Sequence, residues 1–389
     1  MPQILSQDIL WDCIVVGAGI EGSNAARCAA SFGKKTLCLE QFPIPHKRGS
    51  SHGQSRITRH SYEEKCYADM MPDAFSLWGE IEQLANEKLF INCGCMMLDS
   101  PPYELMNAVQ NNLEANGIRA EHINNIALKE SFHLNYPDNV KGLLEQTGGI
   151  LLANKCLAAV QKQFVKFGGF LKDSEKVIEI IPGDIVSVRT DKGLYRTRTL
   201  ILTPGPWAGP LLKSLGVDIP LTTLRTLNLY WKVKHSDFNA LENYPCFVDL
   251  TSKNNIIYAL PCYEYPGLIK VCFHHGPAID PDARDDVDDT WVINLVAEFV
   301  RNHMIGVESK PSIVEPCIYT VSPDKDCILD KHPNFPNIVF GVGFSGSGFK
   351  ISPVVGKILF QLAFGLQPTY DMEHFKLSRF QKPSLKSSL

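Results

Sequence analysis

An α/β fold with an antiparallel sheet inserted into it is predicted from three observations. First, three buried apolar strands run directly into glycine-rich turns near the start, middle and end of the chain: Asp12–Val16, Thr199–Thr203 and Asn337–Gly343. Second, the first of these opens a complete β-α-β unit, the shortest sequence signature of a parallel sheet. Third, residues 220–315 alternate apolar and polar positions and carry several aromatics, the period-2 pattern of an antiparallel sheet.

The elements follow in order. Asp12-Cys13-Ile14-Val15-Val16 is short, apolar and β-branched, as a strand covered on both faces must be. Gly17-Ala18-Gly19-Ile20-Glu21-Gly22 comes next, then an Ala-rich helical stretch, Ser23 to Ser31, stopped by Gly33. A second strand, Lys35 to Leu39, ends in Glu40. Residues 42–54 form a Gly-, Ser- and His-rich loop, 55–90 read as largely helical, and 91–150 mix short strands and helices. Asn154 to Lys166 reads as an amphipathic helix with Asn154 as its N-cap. A strand is expected at Lys176 to Ile181, and a last helix from Pro353 to about Gly365. The strand–glycine junctions are far apart in sequence. A nucleotide-binding domain is therefore expected from residues 1–90, 150–222 and 315–389, with a substrate domain of 91–149 and 223–314.

Composition narrows the class. The 389 residues carry a net charge of −4, with 44% hydrophobic and 21% charged residues, which is ordinary for a globular protein and leaves no basic footprint for nucleic acid. No apolar run approaches the roughly 18 residues of a membrane helix. The segment Met1 to Asp8 lacks the basic-then-apolar pattern of a secretory signal, so an intracellular location is expected. The 12 cysteines are scattered and mostly sit in apolar runs, as small core residues do in a reducing compartment. Cys93-Gly94-Cys95 is too short and isolated to read as a metal site. The chain ends Ser387-Ser388-Leu389, which differs from the peroxisomal Ser-Lys-Leu address by serine at the middle position. The peroxisome is the expected location, with the cytoplasm as the alternative and an import receptor as the partner of that tail.

The motif Gly17-x-Gly19-x-x-Gly22 acquires meaning from its setting. It follows a buried strand, opens a helix, and has Glu40 about 20 residues on, as in Rossmann-like dinucleotide sites. Gly17 permits the turn, Gly19 lets the backbone approach a pyrophosphate, and Gly22 lets helix and strand pack closely. The helix N-terminus offers free N–H groups to phosphate, and Glu40 can accept hydrogen bonds from ribose hydroxyls. The fingerprint does not choose between NAD and FAD.

Four further blocks decide that. The segment Pro45-His46-Lys47-Arg48-Gly49-Ser50-Ser51-His52-Gly53-Gln54-Ser55-Arg56-Ile57-Thr58-Arg59-His60 resembles the monomeric sarcosine oxidase family. So do Gly267 to Gly276, then Cys317-Ile318-Tyr319-Thr320 with Ser322-Pro323-Asp324, then Gly343-Phe344-Ser345-Gly346-Ser347-Gly348-Phe349-Lys350. The blocks span nearly the whole chain in family order.

The resemblance implies a D-amino-acid-oxidase-like fold, a monomer, and FAD joined covalently through its 8α carbon to the sulfur of Cys317. A cysteine suits that link because a thiolate is the nucleophile, and neighbouring cations favour it. Arg59 and Lys350 are implied to hold a substrate carboxylate, with Arg56 close to the flavin. Lys270 is implied to speed reaction with O2, since a fixed cation stabilises developing superoxide. His274 shares a strand face with Lys270 and, with Tyr258 and Tyr319, is implied to line the substrate pocket. Ser51, His52, Val177, Gly346 and Gly348 join Gly17, Gly19, Gly22, Glu40 and Lys350 as residues about the cofactor.

The expected reaction passes a hydride from the α C–H of a small secondary amino acid to the flavin. Sarcosine, L-pipecolate and L-proline are the candidate substrates. O2 then takes the electrons, giving H2O2 and an imine that hydrolyses. No general base is evident in these motifs, and none is required for a neutral amine. One position departs from the family: Ser347 stands where many members have histidine. Three other readings stand beside this one: a same-fold dehydrogenase with another electron acceptor, a flavin-binding protein that has lost catalysis, and an NAD-dependent dehydrogenase resting on the glycine fingerprint alone.

Overall fold

The computed structural model describes residues 9–252 and 254–380, so the tail Ser387–Leu389 lies outside the described residues. The first strand, Leu10–Val16, pairs in parallel with Leu194–Leu202 on one side and Thr36–Leu39 on the other. Phe170–Lys172 and Ile338–Val342 extend this parallel core outward. Val177–Ile181, Val186–Thr190 and Ile328–Lys331 complete the sheet as antiparallel neighbours. Strands 300 residues apart thus share one sheet, because each is buried on both faces. Val15, Ile201 and Val339 pack on the side of the helices, and Ile14, Leu200 and Phe340 on the other.

The helix Ile20–Ser31 crosses this sheet with Gly348–Ala363 beside it. It starts at Ile20, immediately after Gly19, three residues earlier than the composition implied. Gly17 has φ +96°, and a Cβ there would lie 2.3 Å from the Thr203 carbonyl oxygen. A Cβ on Gly22 would lie 1.9 Å from the Gly17 carbonyl oxygen. Both obstacles are backbone. Gly22→Ala is therefore expected to cost about 1–3 kcal/mol or more and to empty the nucleotide cradle, read as a lower Tm together with a reduced flavin content.

A second eight-stranded sheet runs Val307–Val321, Thr222–Val233, Leu268–Phe273, Ile257–Leu260, Cys246–Asp249, Cys95–Asp99, Lys141–Glu145, Ala120–Ile123. It is antiparallel except where Cys246–Asp249 meets Cys95–Asp99. Its inner face packs Trp231, Phe247 and Val271 against Val296 and Val300 of the helix Thr290–His303. That helix interrupts the span 220–315 that alternation assigned to sheet. A three-stranded sheet, Ser55–Thr58, Gly149–Leu152 and Phe90–Asn92, bridges the two layers.

Several local expectations are corrected. Residues 55–58 form a strand rather than the start of a helix, which runs from Lys65 to Ala85. Ser55 to Thr58 is held there by its ladder to Gly149–Leu152, a long-range contact that local pattern does not carry. The helix Ala153–Lys166 is entered from Leu152, and Asn154 lies inside it without capping it. The last helix begins at Gly348, five residues before Pro353. Pro353 is tolerated because the Ser352 hydroxyl donates to the Phe349 carbonyl at 2.8 Å, the acceptor its missing N–H would have used. That early start places Lys350 in the first turn of a helix.

Candidate active site

A cavity of about 1250 Å3 runs along the C-terminal ends of the parallel strands. It exceeds the roughly 300–1,000 Å3 of a drug-sized ligand site, and it lies where open α/β sheets bind ligands. Its lining takes in Gly17, Gly19, Glu40 and Val177 about the glycine turn and, elsewhere, Arg56, Tyr319, Gly346 and Gly348. Ser51 and His52 lie along the wall.

The part about the glycine turn suits a dinucleotide. Gly19 stands at the N-cap of the first helix with no side-chain cap. The Ile20 N–H donates to the Ser51 hydroxyl at 2.9 Å, which ties the 42–54 loop to the helix N-terminus. Glu40 is 7% exposed and accepts from the Ala18 N–H at 3.0 Å and the Phe42 N–H at 3.1 Å. The glycine backbone leaves no room for side chains where phosphate would approach, while Thr320 Oγ1 on the wall is buried without a hydrogen-bond partner. A bound polar group would satisfy it. These features fit FAD.

His52 is wedged between two carbonyls, Gly49 O at 2.6 Å and Pro316 O at 3.1 Å. Burial, then the Arg56 charge, push its pKa down to about 4, against the two carbonyl contacts, which pull it up. Arg56 donates to the carbonyls of Ser50, His52 and Ser55 at 2.6–2.9 Å, and its Nη2 points at Cys317 Sγ, 3.9 Å away. Cys317 lies on the strand Val307–Val321 and is 4% exposed. Sequence motifs 261 residues apart therefore meet at one guanidinium.

Arg59 and Lys350 converge on Tyr62. The Arg59 guanidinium lies 4.6 Å from the ring centroid and the Lys350 ammonium 5.5 Å. Arg59 also donates to the Ser61 carbonyl and to Met97 Sδ. Burial pushes the Lys350 pKa down to about 7, helped by the positive charges of Arg59 and Arg56. Two cations over one ring, neither in a salt bridge to a carboxylate among the described residues, are arranged to receive an anion. Tyr62 was not singled out from sequence, although it lies three residues past Arg59, just beyond the end of that block.

His274 continues the strand Leu268–Phe273, donating its backbone N–H to Ile256 O at 2.9 Å. Its Nδ1 is 3.4 Å from the Tyr319 hydroxyl, and Tyr258 lies edge-on to it at 6.1 Å. Burial, then Lys350 and Arg59, push the His274 pKa down to about 4. Burial holds the Tyr258 and Tyr319 hydroxyls protonated. Gly346 packs against this group, since a Cβ there would lie 2.5 Å from His274 Cε1. Gly348 makes room instead for Glu21, whose Oε1 would lie 2.2 Å from an added Cβ. Burial pushes Glu21 up to about 7. Ser347, the departure from family pattern, is the N-cap residue of the last helix and makes no capping hydrogen bond through its side chain.

Lys270 is 2% exposed. Its ammonium is 3.4 Å from both Ser55 O and Ser55 Oγ and 5.6 Å from the Tyr230 ring centroid. Burial pushes its pKa down, opposed by Cys272 and Glu264. The Ser55 hydroxyl donates in turn to Glu264. Ser55 and Glu264 were given no role from sequence, though Ser55 lies within the block 45–60 and Glu264 three residues before the block 267–276. Among the described residues, no helix is long and apolar enough to cross a membrane, and no three His, Cys, Asp or Glu residues are grouped to hold a metal ion.

The family model described as FAD dependent oxidoreductase matches residues 12–362. The chain is 42% identical to the peroxisomal sarcosine oxidase of Mus musculus, covering 96% of this chain and 97% of that protein. It is 41% identical to the peroxisomal sarcosine oxidase of Homo sapiens over 98% of each. Among solved structures, the open form of NikD, an unusual amino acid oxidase essential for nikkomycin biosynthesis, superposes with a TM-score of 0.81 at 22% identity, covering 94% of this chain and 97% of NikD. That last likeness speaks to fold.

Proposed function

The chain belongs to the sarcosine oxidase family of FAD-dependent oxidoreductases, and from that premise we propose that it oxidises small secondary amino acids such as sarcosine, L-pipecolate or L-proline. The observation that carries the substrate class is the pair Arg59 and Lys350, both held over the ring of Tyr62.

Arg59 and Lys350 bind the substrate carboxylate. Arg59 makes the directional contact, because a planar guanidinium matches a carboxylate with two parallel hydrogen bonds. His274, Tyr258 and Tyr319, which cluster together, form a further wall of the substrate site. With His274 neutral and both tyrosines protonated, this wall adds no charge and favours the uncharged amine. FAD, when bound, supplies the acceptor for the two electrons of the α C–H bond. The first-helix N-terminus would hold its diphosphate, Glu40 would accept from the ribose, and Ser51, His52, Val177, Gly346 and Gly348 would shape the rest of the bed. Cys317 would carry the covalent link through its sulfur to the flavin 8α carbon, with the positive charge of Arg56 beside it. Lys270 faces O2. The sum of the reaction is balanced by the amine losing two electrons and two protons, which reduce O2 to H2O2, while the imine hydrolyses in water.

On this reading residues 1–90, 150–222 and 315–389 serve the flavin, and 91–149 and 223–314 serve the substrate. The protein acts as a monomer in the peroxisome, where its peroxide is consumed.

The test is acid precipitation followed by oxygen uptake. Yellow colour is expected to stay with the pellet for wild type and to leave with the supernatant for Cys317→Ser. Oxygen uptake is expected with sarcosine, pipecolate or proline, and not with the corresponding amines that lack a carboxylate. Freely released flavin from wild type would remove the covalent link. Turnover with an artificial acceptor but not with O2 would make the protein a dehydrogenase.

Lys350 gives the pH dependence. Below about 7 it is cationic in the substrate-free enzyme, and above that it loses its proton. Acetate, whose own charge is constant above pH 6, is expected to bind progressively more weakly as pH rises from 6 to 9. Lys350→Met should flatten that profile. No step near pH 6.5 is expected from His274, which is already neutral there.

A further inference from the structure

We propose that Glu264, acting through Ser55, is a positioning residue that keeps Lys270 protonated while O2 is reduced. The inference rests on the reading that Lys270 faces O2.

The geometry is a relay of three side chains. Lys270 Nζ lies 3.4 Å from Ser55 Oγ, Ser55 Oγ donates to Glu264 Oε1, and the Tyr230 hydroxyl donates to the same oxygen at 3.3 Å. Glu264 is partly buried at the turn between the strands Ile257–Leu260 and Leu268–Phe273, so it reaches Lys270 from outside the cavity.

A relay is needed because, among the described residues, the other titratable or charged groups acting on Lys270 bring no negative charge to it. Desolvation disfavours an ammonium that is 2% exposed. Arg56, on the strand that carries Ser55, pushes in the same direction. From its own strand Lys270 faces Cys272, which burial keeps as an uncharged thiol. From the neighbouring strand comes Tyr230, its hydroxyl also held neutral by burial. Cys317 is the remaining group acting on Lys270, and a sulfur committed to a thioether carries no charge. Glu264 is the carboxylate left to balance the lysine. Adding the first electron to O2 makes an anion, and the positive charge must already be present to stabilise it. A neutral Lys270 would supply none.

The test uses the flavin-loaded wild type, Glu264→Gln, Glu264→Asp and Lys270→Met. Each is reduced anaerobically with substrate and mixed rapidly with O2 across pH 6–10. Glu264→Gln should lower the pH at which fast reoxidation is lost by about one unit, which is about tenfold in rate above that point. Its anaerobic reduction by substrate should stay within about twofold of wild type, and Glu264→Asp should recover part of the shift. A readout independent of turnover is carbamylation by cyanate, which adds to the neutral amine. Peptide mass spectrometry should show Lys270 labelled faster in Glu264→Gln at fixed pH. A uniform slowing at all pH values, or an unmoved profile with unchanged labelling, overturns the proposal while a slow Lys270→Met leaves the reading of Lys270 standing. If Lys270→Met reoxidises as fast as wild type, that reading falls and the proposal falls with it.

Discussion

Arg59→Met is expected to lower kcat/KM for a carboxylate-bearing amine by about 10^2–10^3-fold, from the loss of roughly 3–4 kcal/mol when one partner of a buried charged hydrogen bond is removed. Most of the loss should appear in KM, because the carboxylate sits away from the C–H bond that breaks and is held about equally in ground and transition states. The variant keeps the ring of Tyr62 and the ammonium of Lys350 above it. That single cation, with its proton affinity depressed by burial, should hold the carboxylate poorly. Removing Arg59 also removes one of the charges pushing Lys350 down, so residual binding should persist to higher pH than in wild type. Steady-state kinetics with sarcosine and with a carboxylate-free amine checks this. A substrate-independent loss would show that Arg59 acts on the fold, through its bond to the Ser61 carbonyl, rather than on the ligand. Arg59→Lys should recover part of the affinity but not the bidentate geometry.

Lys270→Met should divide the two halves of the reaction. Anaerobic reduction by substrate is expected to proceed at near the wild-type rate, since the ammonium is directed at Ser55 and the substrate carboxylate is assigned to Arg59 and Lys350. Reoxidation by O2 is expected to fall by about 10^2–10^3-fold, the usual cost of deleting one preorganised group aimed at developing negative charge. Methionine preserves the volume and removes the charge, so the fold should survive. Burial of Lys270 is otherwise costly, and the variant should be at least as stable as wild type to heat. Stopped-flow absorbance at the flavin band in the two half-reactions is the measurement. Equal slowing of both would mean that Lys270 organises the whole cavity.

Glu145 is 0% exposed and accepts from the backbone N–H groups of His60 and Ser61 and from the Ser61 hydroxyl at 2.7–3.0 Å. These hydrogen bonds and His60 hold its carboxyl below the usual range despite burial. It therefore fixes the turn that presents Arg59. A carboxylate whose folded pKa is depressed stabilises the fold above its unfolded pKa and loses that contribution as pH falls through the folded value. Acid unfolding of Glu145→Gln should accordingly be less steep below pH 5 than that of wild type.

The sequence by itself determined the parallel sheet, the glycine cradle and the identity of the charged residues. Buried strands must be continuously apolar, a pyrophosphate turn must be free of Cβ atoms, and both demands are written in consecutive residues. Asp12–Val16, Gly17–Gly22 and Glu40 needed no partner to be recognised, and the blocks at 45–60, 267–276, 317–324 and 343–350 carried the family. Tertiary structure alone decided how these pieces meet. Residues 55–58 became a strand because Gly149–Leu152 offered a ladder, and the last helix began ahead of Pro353 because Ser352 satisfied the carbonyl that proline abandons. Tyr62 became a platform for two cations, and Glu264 was brought behind Lys270, only once strands from four parts of the chain had packed. Local patterns record which side chains will be buried. They do not record which charges burial will place face to face, because that depends on contacts hundreds of residues apart.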